Sequence, residues 1–420
     1  MKANNRMLFR IALRNVARHK RRTAITAIVL TVGIGVFIMF QSLLAGMDRV
    51  TIDTAIDYDS GSISLRSKDY EAHATSQPLE YGLQDSESIM AGLGVLLPAG
   101  STWTPRTRFY VQVSNWTDET PALAFVVRPD TDEKVFKTAQ KVEGGGWGVA
   151  TEAVIGTDLA RDLNVKLGDS IVITAALPNG SLNAIELTVG GIADLPLFSL
   201  SQQAIYMTAQ DAEALIGAPA PVTEIDIRIP PASRLDALVA EADEAASRIE
   251  KGDSGIAAVS IGEAMRDYLA MRNMKSKFAY IVIVIVLLIS SVGIFNTILM
   301  SMYSRIREIG VLAAYGLEPR QIKRLFSLEG MIIGIIGSVG GILLGAVFVW
   351  WLTSQGLSFG GMFGSLDLGN LPKDLFIRGE WNPATFAQGF LFGVLVSWLA
   401  SLMPARKASG IEVTEALRFV

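Results

Sequence analysis

Apolar positions are distributed along this chain in two ways: four long, uninterrupted runs, and one extended stretch in which apolar and polar residues alternate at short period. The runs are Thr23 to Met47, Phe278 to Ser304, Gly330 to about Thr353, and Pro383 to Ala405. None contains Asp, Glu, Lys or Arg, and each is long enough to cross a hydrocarbon core, so each predicts a transmembrane helix. The stretch between the first and second runs changes character. AVIGTDLARDLNV, DSIVITAAL, AIELTVGGIA, QAIYMTAQDAEALIG and TEIDIRI alternate strand-like with helix-like patches, and a helical LDALVAEADEAASRIE follows a Pro-Pro. That order predicts an α+β domain. From Ile261 the pattern runs toward the second span with no Pro or Gly after Gly262, which predicts a helical stalk over about residues 261–277.

Ahead of the first span, Arg6, Arg10, Arg14, Arg18 and Arg22 recur every four residues, while Leu8, Phe9, Ala12, Leu13 and Val16 take other faces. This predicts an amphipathic helix with a basic stripe, suited to an anionic membrane surface. A nucleic-acid-binding stripe is the rival reading, and a span beginning at the next residue argues against it. The apolar run is also too long for a signal-peptide core, and no small-x-small cleavage site follows.

Composition agrees with several spans beside a globular part: half of the 420 residues are apolar, and mean hydropathy is +0.37. Charge then fixes orientation. Residues 1–47 hold eight Lys/Arg and no acid, and residues 305–329 hold five basic groups, whereas residues 48–277 hold 19 basic against 33 acidic. The positive-inside bias places both termini and the 305–329 loop in the cytoplasm. The expected partition is a basic amphipathic helix over 1–22, spans over 23–47, 278–304, 330–353 and 383–405, and an extracytoplasmic domain over 48–277. The 305–329 loop and a 406–420 tail are cytoplasmic, and a second extracytoplasmic loop covers 354–382. The fold class expected is thus an α-helical membrane protein of four spans with a large extracytoplasmic α+β domain between the first and second.

Within the spans, Gly334, Gly337, Gly341 and Gly345, with Gly330, make a small-residue face for close helix packing. Asn296 is costly to leave facing lipid and is expected to meet a partner helix or a cavity. Candidate chemistry is sparse. There is no cysteine, and His19 and His73 read as bystanders, so no metal site is expected. No G-x-x-x-x-G-K-[ST], H-E-x-x-H or G-x-S-x-G sequence occurs, which leaves catalysis unsupported. The Gly-rich EGGGWG at Glu143 to Gly148 lacks a following Lys-Ser or Lys-Thr and reads as a flexible connection.

The loop between the second and third spans reads REIGVLAAYGLEPRQI. Ile306, Ile309, Leu312 and Ala313 fall on one helical side, Gly316 suits a C′ position, and Pro319 suits the first turn of the next helix. A short surface helix results, and spacing alone leaves open whether it is a plain hairpin or a docking element.

These residues carry a resemblance. Arg307-Glu308-Ile309-Gly310-Val311, Ala314, Gly316 and Gln321-Ile322 are similar to the REIGxLxAxGxxxxQI signature of FtsX-like ABC transporter permeases. Pro404-Ala405-Arg406-Lys407-Ala408 and Glu415-Ala416-Leu417-Arg418 resemble the PARRAA…VEALR ending, and ALRNVARHKRRTAIT and AVIGTDLARDLNVKLGD resemble other parts of the same family. Ala313, Leu317 and Val413 depart from the usual residues. The resemblance implies a non-catalytic, mechanotransmission permease of the MacB type. ATP and Mg would bind a separate cytoplasmic ATPase dimer, and this chain would bind no cofactor.

In that reading Arg305, Arg307, Glu308, Ile309, Gly310, Leu312, Ala314, Gly316 and Gln321 form the ATPase-coupling element, and Pro404, Arg406 and Lys407 lie near it. Resemblance to lipoprotein-releasing permeases further implies a lipid or cargo cavity lined by Met39, Phe40, Leu43, Ile294, Phe295 and Asn296. Its expected partners are membrane lipids, a second permease copy or a paralogue, lipoprotein cargo and an extracytoplasmic carrier, and no nucleic acid. MacB-like export of peptides or drugs, and FtsX-like signalling to a cell-wall hydrolase, are the competing functions, and a receptor without an ATPase lies outside the family.

Overall fold

A computed structural model describes residues 5–18, 20–177, 180–252, 255–314, 317–358 and 376–410. The chain opens with α1 (Asn5–Arg18) and α2 (Lys20–Tyr58). There follow β1 (Ile63–Ser67), α3 (Lys68–Ala72), α4 (Ser86–Leu96), β2 (Thr102–Ser114), β3 (Glu119–Val126), α5 (Pro129–Val135), β4 (Val142–Glu143) and β5 (Glu152–Gly156). Next come α6 (Thr157–Asp162), β6 (Ser170–Ala176), β7 (Leu182–Ala193), α7 (Phe198–Gln203), β8 (Ala204–Met207), α8 (Ala209–Ile216), β9 (Glu224–Arg228), α9 (Leu235–Gly252), β10 (Ile256–Ser260) and α10 (Ile261–Ala264). The last helices are α11 (Arg266–Tyr303), α12 (Ile306–Ala314), α13 (Pro319–Gln355) and α14 (Pro383–Ser409). Two compact units emerge: Met1–Met47, Met271–Leu357 and Ile377–Val420 form a helical unit, and Asp48–Ala270 with Ser358–Phe376 form a mixed one.

Among the described residues four helices are long and apolar enough to cross a membrane: Thr23–Tyr58, Arg266–Tyr303, Pro319–Gln355 and Pro383–Ser409. Each covers one of the uninterrupted apolar runs, Ser304 excepted, and all four continue into polar sequence on at least one side. The glycines of α13 explain how these helices pack. A Cβ built on Gly334 would lie 2.5 Å from the Cβ of Ser397 on α14, and one on Gly330 would lie 2.3 Å from that of Ser401. Farther along, Cβ atoms on Gly337, Gly341 and Gly345 would meet Leu30, Ile34 and Ile38 of α2 at 2.6–2.8 Å. One glycine stripe therefore serves two partner helices in turn, each approaching more closely than a side chain would allow. Hydroxyls add specificity: Thr26 and Thr297 share a hydrogen bond of 2.8 Å, and Thr31 Oγ1 donates to the carbonyl of Gly337 at 3.1 Å.

In the mixed unit a ten-stranded sheet runs in the order β10-β1-β9-β2-β3-β8-β5-β7-β4, with β6 pairing β2 and β7. Its long strand β2 joins two halves, placing Thr102–Arg106 against β9 and Thr107–Ser114 against β3. Period-2 alternation sends Ile63, Leu65, Ile225 and Ile227 to one face, where α9 covers them with Leu238, Ala242, Ala245 and Ile249. The other half of the sheet has its own core, built on Val111, Val113, Ile155, Ile173, Val189 and Ile205. Each strand-like and helix-like patch noted in the sequence is found as β5–α6, β6, β7, β8–α8, β9 and α9.

Two local features differ from expectation. The continuous helix begins at Arg266, because Ser260 caps α10 through a bond from the Glu263 amide and Met265, at φ −104° and ψ 22°, ends that single turn. The Gly-rich Glu143 to Gly148 stretch is also a packed loop. Gly146 adopts φ 74° with Gly190 so close that a Cβ would meet its Cα at 2.8 Å, and the Trp147 ring lies 5.3 Å from that of Tyr206. Glycine is needed there for both conformation and close approach.

Candidate coupling site

The second apolar helix ends at Tyr303, and the chain turns into α12 within three residues. Ile306 and Ile309 are buried, and Gly310 with them. Ile309 belongs to a cluster with Ile322 and Phe326 of α13 and Ala405 and Ala408 of α14. Arg307, Glu308, Val311 and Ala314 are exposed on the outer side. Amphipathic period thus divides the signature between a face that seats the helix on its own chain and a face open to a partner. The Leu312 side chain, Tyr315 and Gly316 lie outside the described residues, as do His19 and the Glu415-Ala416-Leu417-Arg418 motif. Gln321 has a structural role: its Oε1 accepts from the Glu318 amide at 3.1 Å, capping α13, with Pro319 in the first turn.

A polar network fixes the start of α12. Glu329 of α13 is only 4% exposed, and its Oε1 accepts from Asn15 Nδ2 of α1 at 2.5 Å and from Arg305 Nη1 at 3.2 Å. Arg305 Nε also donates to Glu308 Oε2 at 2.9 Å, and Arg18 Nη1 lies 3.5 Å from Glu308 Oε1. One buried carboxylate therefore joins α1, the turn before α12, and α13, while Glu308 at the surface is shared between two arginines. Neither Asn15 nor Glu329 was singled out in the sequence; the available signal was an acid one residue ahead of an apolar run. The α1 face bearing Ala12 and Val16 packs with Leu325, Ile332 and Ile333 of α13, whereas Phe9 and Leu13 stay exposed beside the basic stripe.

At the end of α14, Pro404, Ala405 and Ala408 are buried, and Arg406 and Lys407 are exposed; Lys407 Nζ sits 5.4 Å from the Tyr303 ring centre. Of the residues expected around a lipid cavity, Ile294 is packed in the bundle interior, Phe40 and Asn296 are exposed, and Met39, Leu43 and Phe295 are partly covered. Ile294 and Asn296 point to opposite sides of α11.

The mixed unit holds a second charged cluster that the sequence did not suggest. On one face of β1, β9 and β2 lie Arg66, Glu224, Asp226 and Arg106, with Arg108 beside them. Arg106 is fully buried and bidentate on Asp132 at 2.7 and 3.0 Å, with its guanidinium 3.4 Å from the Phe136 ring centre. Arg66 contacts Glu224 at 3.1 Å and Glu71 at 3.0 Å, and Arg108 pairs with Asp59. A cavity of about 290 Å³, lined by Asp59, Ser64, Arg66, Glu71 and Arg108, opens beside them. Burial, with Glu224 nearby, holds the Asp226 carboxyl well above the ordinary range, and burial pushes the Tyr206 hydroxyl up to about 12. Because each arginine is answered by carboxylates, the cluster reads as a structural ion-pair layer. Among the described residues no group of His, Cys, Asp or Glu could hold a metal, and His73 is exposed, with its ring nitrogen on the Asp69 carbonyl.

The MacB-like periplasmic core domain family matches residues 23–245, more than half of the chain, and the FtsX-like permease C-terminal family matches residues 280–413. The chain belongs to the FtsX-like, MacB-type permeases. The permease is similar to the lipoprotein-releasing system transmembrane protein LolC of Xylella fastidiosa, with 25% identity over 317 residues covering 71% of this chain and 73% of the relative. It is also similar to the macrolide export ATP-binding/permease protein MacB of Brucella abortus, at 32% identity over 170 residues, 40% of this chain and 23% of that one. Among solved structures, the periplasmic region of MacB from Actinobacillus actinomycetemcomitans aligns at 12% identity and a TM-score of 0.32, covering 49% of this chain and 91% of that one. The permease is thus an ABC transporter membrane protein of the LolC/LolE and MacB type, with a periplasmic-type domain.

Proposed function

We propose that this permease is the non-catalytic membrane subunit of a transporter in which a separate cytoplasmic ATPase dimer, holding ATP and Mg, drives release of lipoproteins from the inner membrane. The observation that carries the coupling role is the exposed face of α12, where Arg307, Glu308, Val311 and Ala314 point outward from a helix seated by Ile306, Ile309 and Gly310. A short helix held at both ends by membrane helices can pass a push from below into α11 and α13 with little loss. The positive-inside bias supports placing α12 and both termini in the cytoplasm, with the mixed unit extracytoplasmic between the first and second spans. Since α2 and α11 each begin in one unit and end in the other, they are the routes by which the push would reach that domain.

Lipoprotein as cargo rests on the name and the 71% coverage of the LolC relative. The higher local identity to MacB keeps export of peptides or drugs as the second reading. Purification from native membranes separates them. Lipoprotein release predicts a co-purifying ATPase whose turnover rises with acylated lipoproteins and not with macrolides or peptides; the reverse response would replace it with export. Absence of any ATPase would overturn the coupling role itself.

A further inference from the structure

The mixed unit holds a second cavity, of about 220 Å³, and its charges are not balanced. It is lined by the cations Arg49, Lys137 and Arg228 and by two acids, Asp53 and Asp57, a surplus of one positive charge. In the cavity of about 290 Å³ described above, Arg66 and Arg108 are matched by Asp59 and Glu71. Electrostatic attraction therefore favours an anion in the smaller cavity more than in the larger one.

The three cations are held in place and still have donors to spare. Arg49 donates from Nε to Asp53 Oδ2 at 2.8 Å and from Nη1 to the carbonyl of Ala232 at 3.1 Å. Arg228 donates from Nε to the carbonyl of Val135 and from Nη2 to Asp57 Oδ1. Lys137 Nζ donates to Asp57 Oδ2 at 2.6 Å, so both oxygens of Asp57 are engaged. Arg49 Nη2, Arg228 Nη1 and the remaining protons of Lys137 make no hydrogen bond among the described residues. Two guanidiniums fixed by backbone carbonyls and one ammonium, all with N–H groups free, suit the several oxygens of a phosphate group.

Position along α2 says which phosphate. The uncharged apolar run ends at Met47, so at a rise of about 1.5 Å per residue Arg49 lies about 3 Å beyond it and Asp53 about 9 Å. The headgroup layer adds roughly 5–8 Å to each side of the hydrocarbon core, and the cavity begins at that level. We infer that this cavity binds the phosphodiester of an anionic phospholipid of the outer leaflet, with Arg49, Lys137 and Arg228 as the donors. The surplus of one positive charge matches a headgroup of net charge −1 and gives a zwitterionic one no electrostatic advantage. A bound headgroup ties the mixed unit to the leaflet where α2 enters it. The inference rests on the topology proposed above, in which α2 crosses the membrane and the mixed unit is extracytoplasmic, and it adds a ligand that neither coupling nor cargo requires.

The test places the full-length permease in phosphatidylcholine nanodiscs containing a phosphatidylglycerol with a photoreactive diazirine near its headgroup, and maps the adducts by mass spectrometry. The expected result is labelling of residues 49–57 and 228–238, suppressed by unlabelled phosphatidylglycerol and unaffected by a millimolar excess of inorganic phosphate. Labelling there should fall at least about fivefold in Lys137→Gln and in Arg49→Gln, the scale of one lost charge-assisted hydrogen bond, and persist in Arg49→Lys. Lys137 is half exposed, so its variant should unfold like the parent in phosphatidylcholine alone. Labelling that is equal in the parent and both glutamine variants, or confined to α1, would overturn the site. Suppression by inorganic phosphate as effective as by phosphatidylglycerol would overturn the lipid as its ligand. A preparation that keeps this labelling but brings no ATPase would defeat the coupling role and leave the site standing; one that keeps its ATPase without the labelling would do the reverse.

Discussion

Glu329 is a carboxylate whose surroundings leave it little access to water, and its pairing with Arg305 and Asn15 makes its presence tolerable. Removing one partner should therefore harm the protein more than removing both. Arg305→Ala strands a buried acid, for which a loss of about 3–5 kcal/mol is the usual scale. Arg305→Ala with Glu329→Gln should recover a large part of that loss, and thermal unfolding of the detergent-solubilised chain in the double-mutant cycle measures the difference. Additive losses would show that the pair is not coupled. Asp226 gives the opposite case, a buried acid with no hydrogen-bond partner on either oxygen among the described residues. Its carboxyl is held well above the ordinary value by burial and the nearby Glu224, so it gives up its proton less readily in the folded domain than in the unfolded chain. Below about pH 4 both states are protonated and the site is neutral in its effect. As pH rises from there the unfolded state gains by ionising, and stability is lost until the raised folded value is reached. Asp226→Asn should thus leave unfolding near pH 4 unchanged and stabilise the protein increasingly toward pH 7; a gain that is equal at both values would refute this origin.

At the scale of elements the sequence was most legible where one physical demand dominates. Four uncharged apolar runs became four long helices, and the strand-like patches became strands, because lipid-length hydrophobicity and period-2 alternation have few competing solutions. The glycine stripe could be read as a packing face, though its division between α14 and α2 could not, since spacing does not say which helix arrives. Gly341→Leu tests the second half of that division: a Cβ there already lies 2.6 Å from the Cβ of Ile34, so α2 must move away. We expect a lower unfolding temperature and reduced recovery of folded protein in detergent, whereas Gly293→Leu, where a Cβ would meet nothing within 4 Å among the described residues, should leave the unfolding of a single chain unchanged. What escaped the sequence depended on distant residues meeting. The ion-pair layer draws on β1, β2, β9 and α5, and the Asn15–Glu329 bond joins positions 314 apart, so neither has a local pattern. The helix break at Met265 was missed for a different reason: it follows from the Ser260 cap, and not from a Pro or Gly.

For the whole molecule the question is whether α12 is a fastening of the helical unit or a contact for something outside it. The signature motif mixes both roles, since Ile309 and Gly310 are buried while their neighbours Glu308 and Val311 are exposed. Substitutions on the two faces should therefore fail in different ways. Ile309→Ala removes atoms from the cluster with Phe326 and Ala405, and a cavity of that kind costs about 2–4 kcal/mol, seen as a lower unfolding temperature. Val311→Glu puts a charge on a surface already exposed to solvent, so the isolated permease should unfold as before. If that surface meets the ATPase, the same change buries an unpaired charge at an interface, and co-purification of the ATPase should drop by at least tenfold. Restoration by Val311→Ile, but not by Val311→Gln, would mark the contact as apolar. An ATPase that stays bound and remains responsive to cargo in Val311→Glu, beside a destabilised Ile309→Ala, would leave α12 as a fastening only, and would move the contact toward Arg406 and Lys407 at the end of α14.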